Sequence, residues 1–176
     1  MDGDPYTIRI FVKDGDAEGV KIIDQMNWTG RGIYFPREKW SNASNINLLN
    51  NPGVYILSGY ADGDDDKQTI YVGEGDGIRS RIESHLKNKA FWTFGIIFVS
   101  SNNTINKSHI QWLEYALVKQ ANIAKRAKVD NSNIPQEPTL DESEKVGLVT
   151  FLNEMLKILP LLGLRAFETP KPIIQK

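Results

Sequence analysis

The order of elements along the chain predicts an α/β (α+β) fold, and three observations carry that prediction. Gly53–Ser58 and Thr69–Gly73 are short β-rich runs separated by a hydrophilic stretch, the pattern of an antiparallel hairpin. Ile78, Ile82 and Leu86 follow at four-residue spacing and mark an amphipathic helix over Ile78–Asn88. A third apolar strand, Phe94–Ser100, then precedes a long helical stripe.

Taken in order, the N-terminal segment is β-rich. Thr7–Lys13 alternates, Asp14-Gly15 signals a turn, and Val20–Ile23 is the returning strand. Ile33-Tyr34-Phe35 is a short apolar run stopped by Pro36. Residues 6–36 thus read as a small N-terminal β-lobe. Residues 37–52 are polar and Asn-rich, a connection with a short helix near Trp40 or Ile46–Leu49. Ala61–Lys67 is the hairpin loop, and Gly75 and Gly77 break the chain before the first long helix. The unbroken apolar run of Phe94–Ser100 places that strand centrally, covered on both faces. Ser101–Asn103 turns into a helix from Lys107 to about Lys125, with Ile110, Leu113, Leu117 and Ala121 on one stripe. After the loop Asp130–Pro138, Thr139 with Glu142 fits a capping box. The helix it opens carries Val146, Val149, Leu152, Met155, Leu156 and Leu159 as its apolar stripe, and Pro160 ends it. Leu159-Pro160-Leu161-Leu162 is expected in the core, with a dimer surface as the alternative. The chain divides into an N-terminal extension and linker (1–50), a central domain (51–135) and a C-terminal helix packed on it (136–176).

Composition narrows the class. At 176 residues, 40% hydrophobic and with four Trp, the chain is long and apolar enough for one domain with a proper core. The absence of cysteine excludes disulfides, thiolate metal sites and Cys nucleophiles, and fits a reducing compartment. No apolar run approaches the roughly 18 residues a membrane helix needs, and Met1–Pro5 lacks a signal-peptide core. A cytoplasmic protein with no membrane partner is expected, as a monomer or a homodimer. The net charge of −1 hides an uneven distribution: between Gly77 and Asp130, nine Lys/Arg stand against three acids. A basic middle in an acidic frame suits a phosphate-facing surface, although ordinary solvated helix faces give the same count.

Chemistry enters with five side chains. Hydrolysis of a phosphodiester needs a base for water, positive charge for the non-bridging oxygens, and stabilisation of the leaving 3′-oxygen. Tyr55 and Tyr71 sit in equivalent triplets, Gly53-Val54-Tyr55 and Tyr71-Val72-Gly73, on the two hairpin strands. Arg81 and His85 are four apart on one helix and share a face. Arg suits a phosphate through its planar fork. Glu114 is the only acid between Lys107 and Lys128, and one carboxylate suffices to anchor Mg²⁺, which keeps most of its waters. Each has a plainer explanation: strand tyrosines pack in sheets, Arg81 is a solvated charge, His85 pairs with Glu83, Glu114 pairs with Lys107, and Gly53 and Gly73 are turn or bulge residues. Their joint order and spacing favours a site.

That order resembles the GIY-YIG nucleases over about residues 53–133. The family has a G-[IV]-Y strand, a Y-[IV]-G strand, an Arg about ten residues past the second Tyr, a His or Tyr four residues on, a metal-binding Glu on a later helix, and then an Asn. Here these are Gly53-Val54-Tyr55, Tyr71-Val72-Gly73, Arg81, His85, Glu114 and, in the loop beyond, Asn131 or Asn133, with Asn131 favoured. Gly32-Ile33-Tyr34 spells the motif too, but 36 residues separate Tyr34 from Tyr71, against 15 for Tyr55. The front segment (Asp14-Gly15-Asp16, Asn27-Trp28-Thr29-Gly30, Phe35-Pro36-Arg37) is similar to the leader of a bacterial subgroup. A further C-terminal domain often follows in that subgroup and is expected to be lacking here. The resemblance implies a mainly antiparallel three-stranded sheet flanked by helices, with which the element order agrees. It implies a metal-dependent DNA endonuclease using Mg²⁺ or Mn²⁺, with Tyr55, Tyr71, Arg81 and His85 catalytic, Glu114 on the metal, and Gly53, Gly73 and Asn131 in support. Asn131 would orient Glu114 or contact the backbone. Two features depart from the family: an acidic loop (Asp62, Asp64, Asp65, Asp66), and Glu74 where many members carry Lys, Gln or Arg. Both leave open a catalytically inactive nucleic-acid-binding or interaction module of the same fold. A small-molecule phosphodiesterase or toxin-like regulator is a third reading.

Overall fold

In the computed structural model of the chain, residues 3–61 and 66–169 are described. Seven strands form one mixed sheet: β1 (Ile8–Val12), β2 (Lys21–Gln25), β3 (Gly30–Pro36), β4 (Gly53–Gly59), β5 (Thr69–Gly75), β6 (Trp92–Ser100) and β7 (Lys128–Val129). Their order is β1-β2-β3-β6-β4-β5-β7. All neighbours are antiparallel except the short β5–β7 pair. Four helices accompany it: α1 (Trp40–Ala43), α2 (Ile78–Asn88), α3 (Lys107–Ala124) and α4 (Glu142–Ile158). Among the described residues, no helix is long and apolar enough to cross a membrane.

The three strands expected from the sequence, β4, β5 and β6, are present and antiparallel, but the sheet is larger than three strands. The N-terminal strands do not form a lobe of their own. β3 pairs with β6 from Gly30↔Ser100 to Pro36↔Phe94, so β1–β3 continue the same sheet. The reason lies in β6. A nine-residue strand buried along most of its length has unpaired amides and carbonyls on both edges, and buried backbone groups must be matched. β4 satisfies one edge and β3 the other. This puts β6 in the middle of the sheet, the place its apolar run predicts.

Alternation along the strands splits the core in two. Val54, Ile56, Val72, Ile96 and Phe98 face α3 and α4, packing with Leu113, Leu117, Phe151 and Met155. Tyr55, Leu57, Ile97 and Val99 face α2 and the segment around α1, packing with Ile78, Ile82, Trp40 and Leu49. Tyr34 of the Gly32-Ile33-Tyr34 triplet packs against the α3–α4 core, opposite to Tyr55, beside Phe94 at 5.5 Å.

α3 buries the stripe its sequence predicts, Ile110, Leu113, Leu117 and Ala121. α4 differs from expectation in two ways. Its cap is Asp141, whose carboxylate accepts from the Glu144 amide at 2.8 Å, rather than Thr139 with Glu142. Its buried face is Leu148, Phe151, Met155 and Ile158, while Val146 is 63% exposed. On this face Phe151 packs on Trp28 at 5.1 Å, and the larger side chains take the core while the smaller valines turn outward. Leu159 is buried and Leu161 is 57% exposed, so that stretch is core only in part. Of the acidic hairpin loop, Asp62, Asp64 and Asp65 lie outside the described residues.

Candidate active site

The β4–β5 register sets the tyrosines. Tyr55 lies opposite Gly73 and Leu57 opposite Tyr71, so both tyrosines project from one face on a diagonal, ring centroids 6.2 Å apart. Gly73 is bare for a reason. A Cβ there would run into the phenol ring of Tyr55, which lies across the glycine. Gly53 serves packing: a Cβ would meet the Phe98 carbonyl oxygen at 2.6 Å, so it lets β4 approach β6.

Onto this face α2 brings two more groups. Ile78 and Ile82 anchor the helix in the core, which turns the adjacent stripe of Arg81 and His85 to the tyrosines. His85 Nε2 lies 2.7 Å from the Tyr55 hydroxyl, and the His85 ring meets the edge of Tyr71 at 4.8 Å. Two arginines fix the helix. Arg79 donates to the Ser44 carbonyl at 2.6 Å and the Ile46 carbonyl at 2.9 Å. Arg37 donates to the Leu86 and Lys89 carbonyls at 2.8 and 2.7 Å, satisfying the C-terminal end of α2. Arg79 therefore belongs to the scaffold, whereas Arg81 is exposed and has no ion-pair partner among the described residues.

Electrostatics define the protonation states. Burial, then the charges of Lys89 and Arg81, pushes the His85 imidazole down to about 4. Burial, then Tyr71, pushes the Tyr55 phenol above its ordinary value. At neutral pH the phenol keeps its proton and donates to a neutral imidazole, which requires the Nδ1–H tautomer. The pair is a proton donor beside an empty acceptor.

Glu114 approaches from the other side of the sheet, on α3 between the buried Leu113 and Leu117. It is half-buried and has no hydrogen bond or ion pair among the described residues. Burial, then the charge of Glu74, pushes its carboxyl up to about 7, against the opposing pull of Arg81 and Lys107. Its charge in turn bears on Tyr55. The five residues predicted from the sequence therefore gather around one end of β5, four on the α2 face and Glu114 on the α3 face. An unpartnered, desolvated carboxylate is the fit a single hydrated Mg²⁺ or Mn²⁺ requires. No cluster of three or more His or acidic side chains occurs among the described residues, so Glu114 would hold the ion with few protein ligands. Two larger cavities of the protein, of about 600 and 630 Å³, touch none of these five residues.

Of the two roles expected for Asn131, the structure shows a contact to backbone: its side-chain amide accepts from the Val72 amide at 3.1 Å and donates to the Val72 carbonyl at 2.7 Å, with no hydrogen bond to Glu114. It extends the two-residue β7 as a one-residue strand mimic along the free edge of β5, between Tyr71 and Gly73. Asn133 is exposed. Three groups at the site escaped the sequence reading. Lys89 stacks over the Tyr71 ring at 4.4 Å and pairs with Asp130 at 2.8 Å. Lys107 pairs with Glu74 at 2.6 Å. The four-residue series Arg81, His85, Lys89 was a signal for the first. Nothing local pointed to Lys107, because its partner lies on another element.

Compared with family models, curated proteins and solved structures, the chain matches none of them.

Proposed function

We propose that this chain is a divalent-cation-dependent endonuclease of the GIY-YIG type that hydrolyses phosphodiester bonds in DNA. The observation that supports it best is the 2.7 Å contact of Tyr55 with a neutral His85, close to Arg81 and Glu114, neither of which has an ion-pair partner among the described residues. Arg81 and Tyr71 bind the scissile phosphate and meet the charge that develops on it. Tyr55 draws a proton from the attacking water while its own passes to His85 Nε2. Because Tyr55 is 0% exposed, substrate must open its cover before the phenol can act. Glu114 anchors the cation, which when bound stabilises the leaving 3′-oxygen. Asn131 holds the β5 edge on which Tyr71 stands.

The complete burial of Tyr55 also favours a second reading, a catalytically inactive nucleic-acid-binding or interaction module. One assay separates the two. Supercoiled plasmid, branched DNA and single-stranded DNA are incubated with Mg²⁺ or Mn²⁺ and with EDTA. A nuclease cuts at least one substrate, and EDTA stops it. Salt-sensitive binding with no cutting of any substrate would favour the binding module.

A further inference from the structure

Besides Glu114 and the Lys89-paired Asp130, the site contains Glu74, whose surroundings are odd. It stands next to last in β5, on the α3 face, with a side chain only 14% exposed. Its partner Lys107 is the first residue of α3, where a cation opposes the positive end of the helix dipole, and no acid occupies that first turn. The helix itself gains nothing from a lysine there. Lys107 and Glu114 are seven residues apart, two turns along one stripe of α3. Glu74 thus faces the stripe that carries the unpartnered carboxylate, with its charge taken up by an ammonium that is 51% exposed and can swing into water.

We propose that Glu74 is a second carboxylate for the divalent cation anchored by Glu114, and that Lys107 occupies its place until the cation arrives. This rests on the cation-dependent reading above. The exchange is balanced in charge. The Lys107 ammonium leaves Glu74 for solvent, and one divalent ion meets two carboxylates. Lys107 then sets how strongly the empty site resists the cation, so affinity is tuned by a residue that never touches it.

Mn²⁺ binding to the full chain at pH 7.5, read from the resonance of free Mn²⁺, tests this without any cleavage assay. Wild type should bind one ion, and Glu114→Gln should abolish binding. Glu74→Gln should weaken it by about tenfold or more, with partial rescue by Glu74→Asp. Lys107→Met should tighten it, by about fivefold at most, and keeps the question decidable if Glu74→Gln fails to fold. Binding by Glu74→Gln as tight as wild type, or weaker binding by Lys107→Met, overturns the role of Glu74 while leaving that of Glu114 intact. If wild type binds no Mn²⁺, or Glu114→Gln binds it unchanged, the cation reading falls, and this inference with it.

Discussion

At the scale of single residues, the site is built from groups whose protonation is shifted from its ordinary pH range. Glu114 shows the cost. Its carboxyl keeps a proton up to about 7, against 4.5 for an unperturbed one. The folded state therefore binds more protons than the unfolded chain between those values, and stability falls as pH rises through that window. Glu114→Gln should accordingly raise the melting temperature at pH 8 and leave it nearly unchanged at pH 4, which thermal denaturation at the two pH values checks. The same shift sets the acid limb of cleavage. His85 is already neutral well below pH 6, so at low Mg²⁺ the rate should rise with pH through about 7. That limb should move to lower pH as Mg²⁺ increases, because the ion competes with the proton for Glu114. A limb near 4 that ignores Mg²⁺ would assign the step to His85 alone. Tyr55→Phe removes only the hydroxyl that contacts His85. It should cost about 1 kcal/mol of stability but about a hundredfold or more in cleavage, measured by urea denaturation and single-turnover rates.

At the scale of elements, the sheet positions these residues through what it leaves out as much as through what it adds. Gly73 has no side chain where the Tyr55 ring crosses, so Gly73→Ala should displace that ring. We expect a loss of about 1–3 kcal/mol and of most cleavage, with the Tyr55 ring resonances shifted in the NMR spectrum. The Asn131 amide completes the edge of β5 with two hydrogen bonds to Val72. Asn131→Ala strands a partly buried amide and should cost about 1–3 kcal/mol, with faster hydrogen exchange at Val72, while Asn133→Ala should be neutral. The sequence was informative where a pattern was local: short β-rich apolar runs gave β4, β5 and β6, and helical spacing gave the buried faces of α2 and α3. It misled in α4, where Val146 and Val149 fit a helical stripe as well as Leu148 and Phe151 do. The face that turns inward is set by tertiary contacts of α4, among them that of Phe151 with Trp28, more than a hundred residues away in sequence.

At the scale of the whole molecule, long-range pairing was the part the sequence could not show. Tyr55, Tyr71, Arg81, His85 and Glu114 could be proposed from the sequence because they stand in one recognisable order, with Arg81 and His85 four apart on one helix. Glu74 with Lys107 and Lys89 with Asp130 could not, because those pairs join different elements across the sheet. The N-terminal strands read as a lobe of their own for the same reason: nothing within residues 1–50 reveals that β3 finds its partner in β6. Since β1–β3 cover one edge of the central strand, removing residues 1–36 should leave a chain that does not fold on its own, and solubility with circular dichroism would show it. Survival of a folded, cation-binding fragment would mean that β3 is dispensable to the core. The central claim is that Glu114, Arg81 and the Tyr55–His85 pair act together on a phosphodiester. The most direct measurement is the single-turnover rate of cleavage of a DNA substrate in Mn²⁺, compared between wild type, Arg81→Ala and Glu114→Ala. The account predicts cutting by wild type and none by either variant, with DNA binding retained by Glu114→Ala. Cutting by Glu114→Ala at the wild-type rate would contradict it.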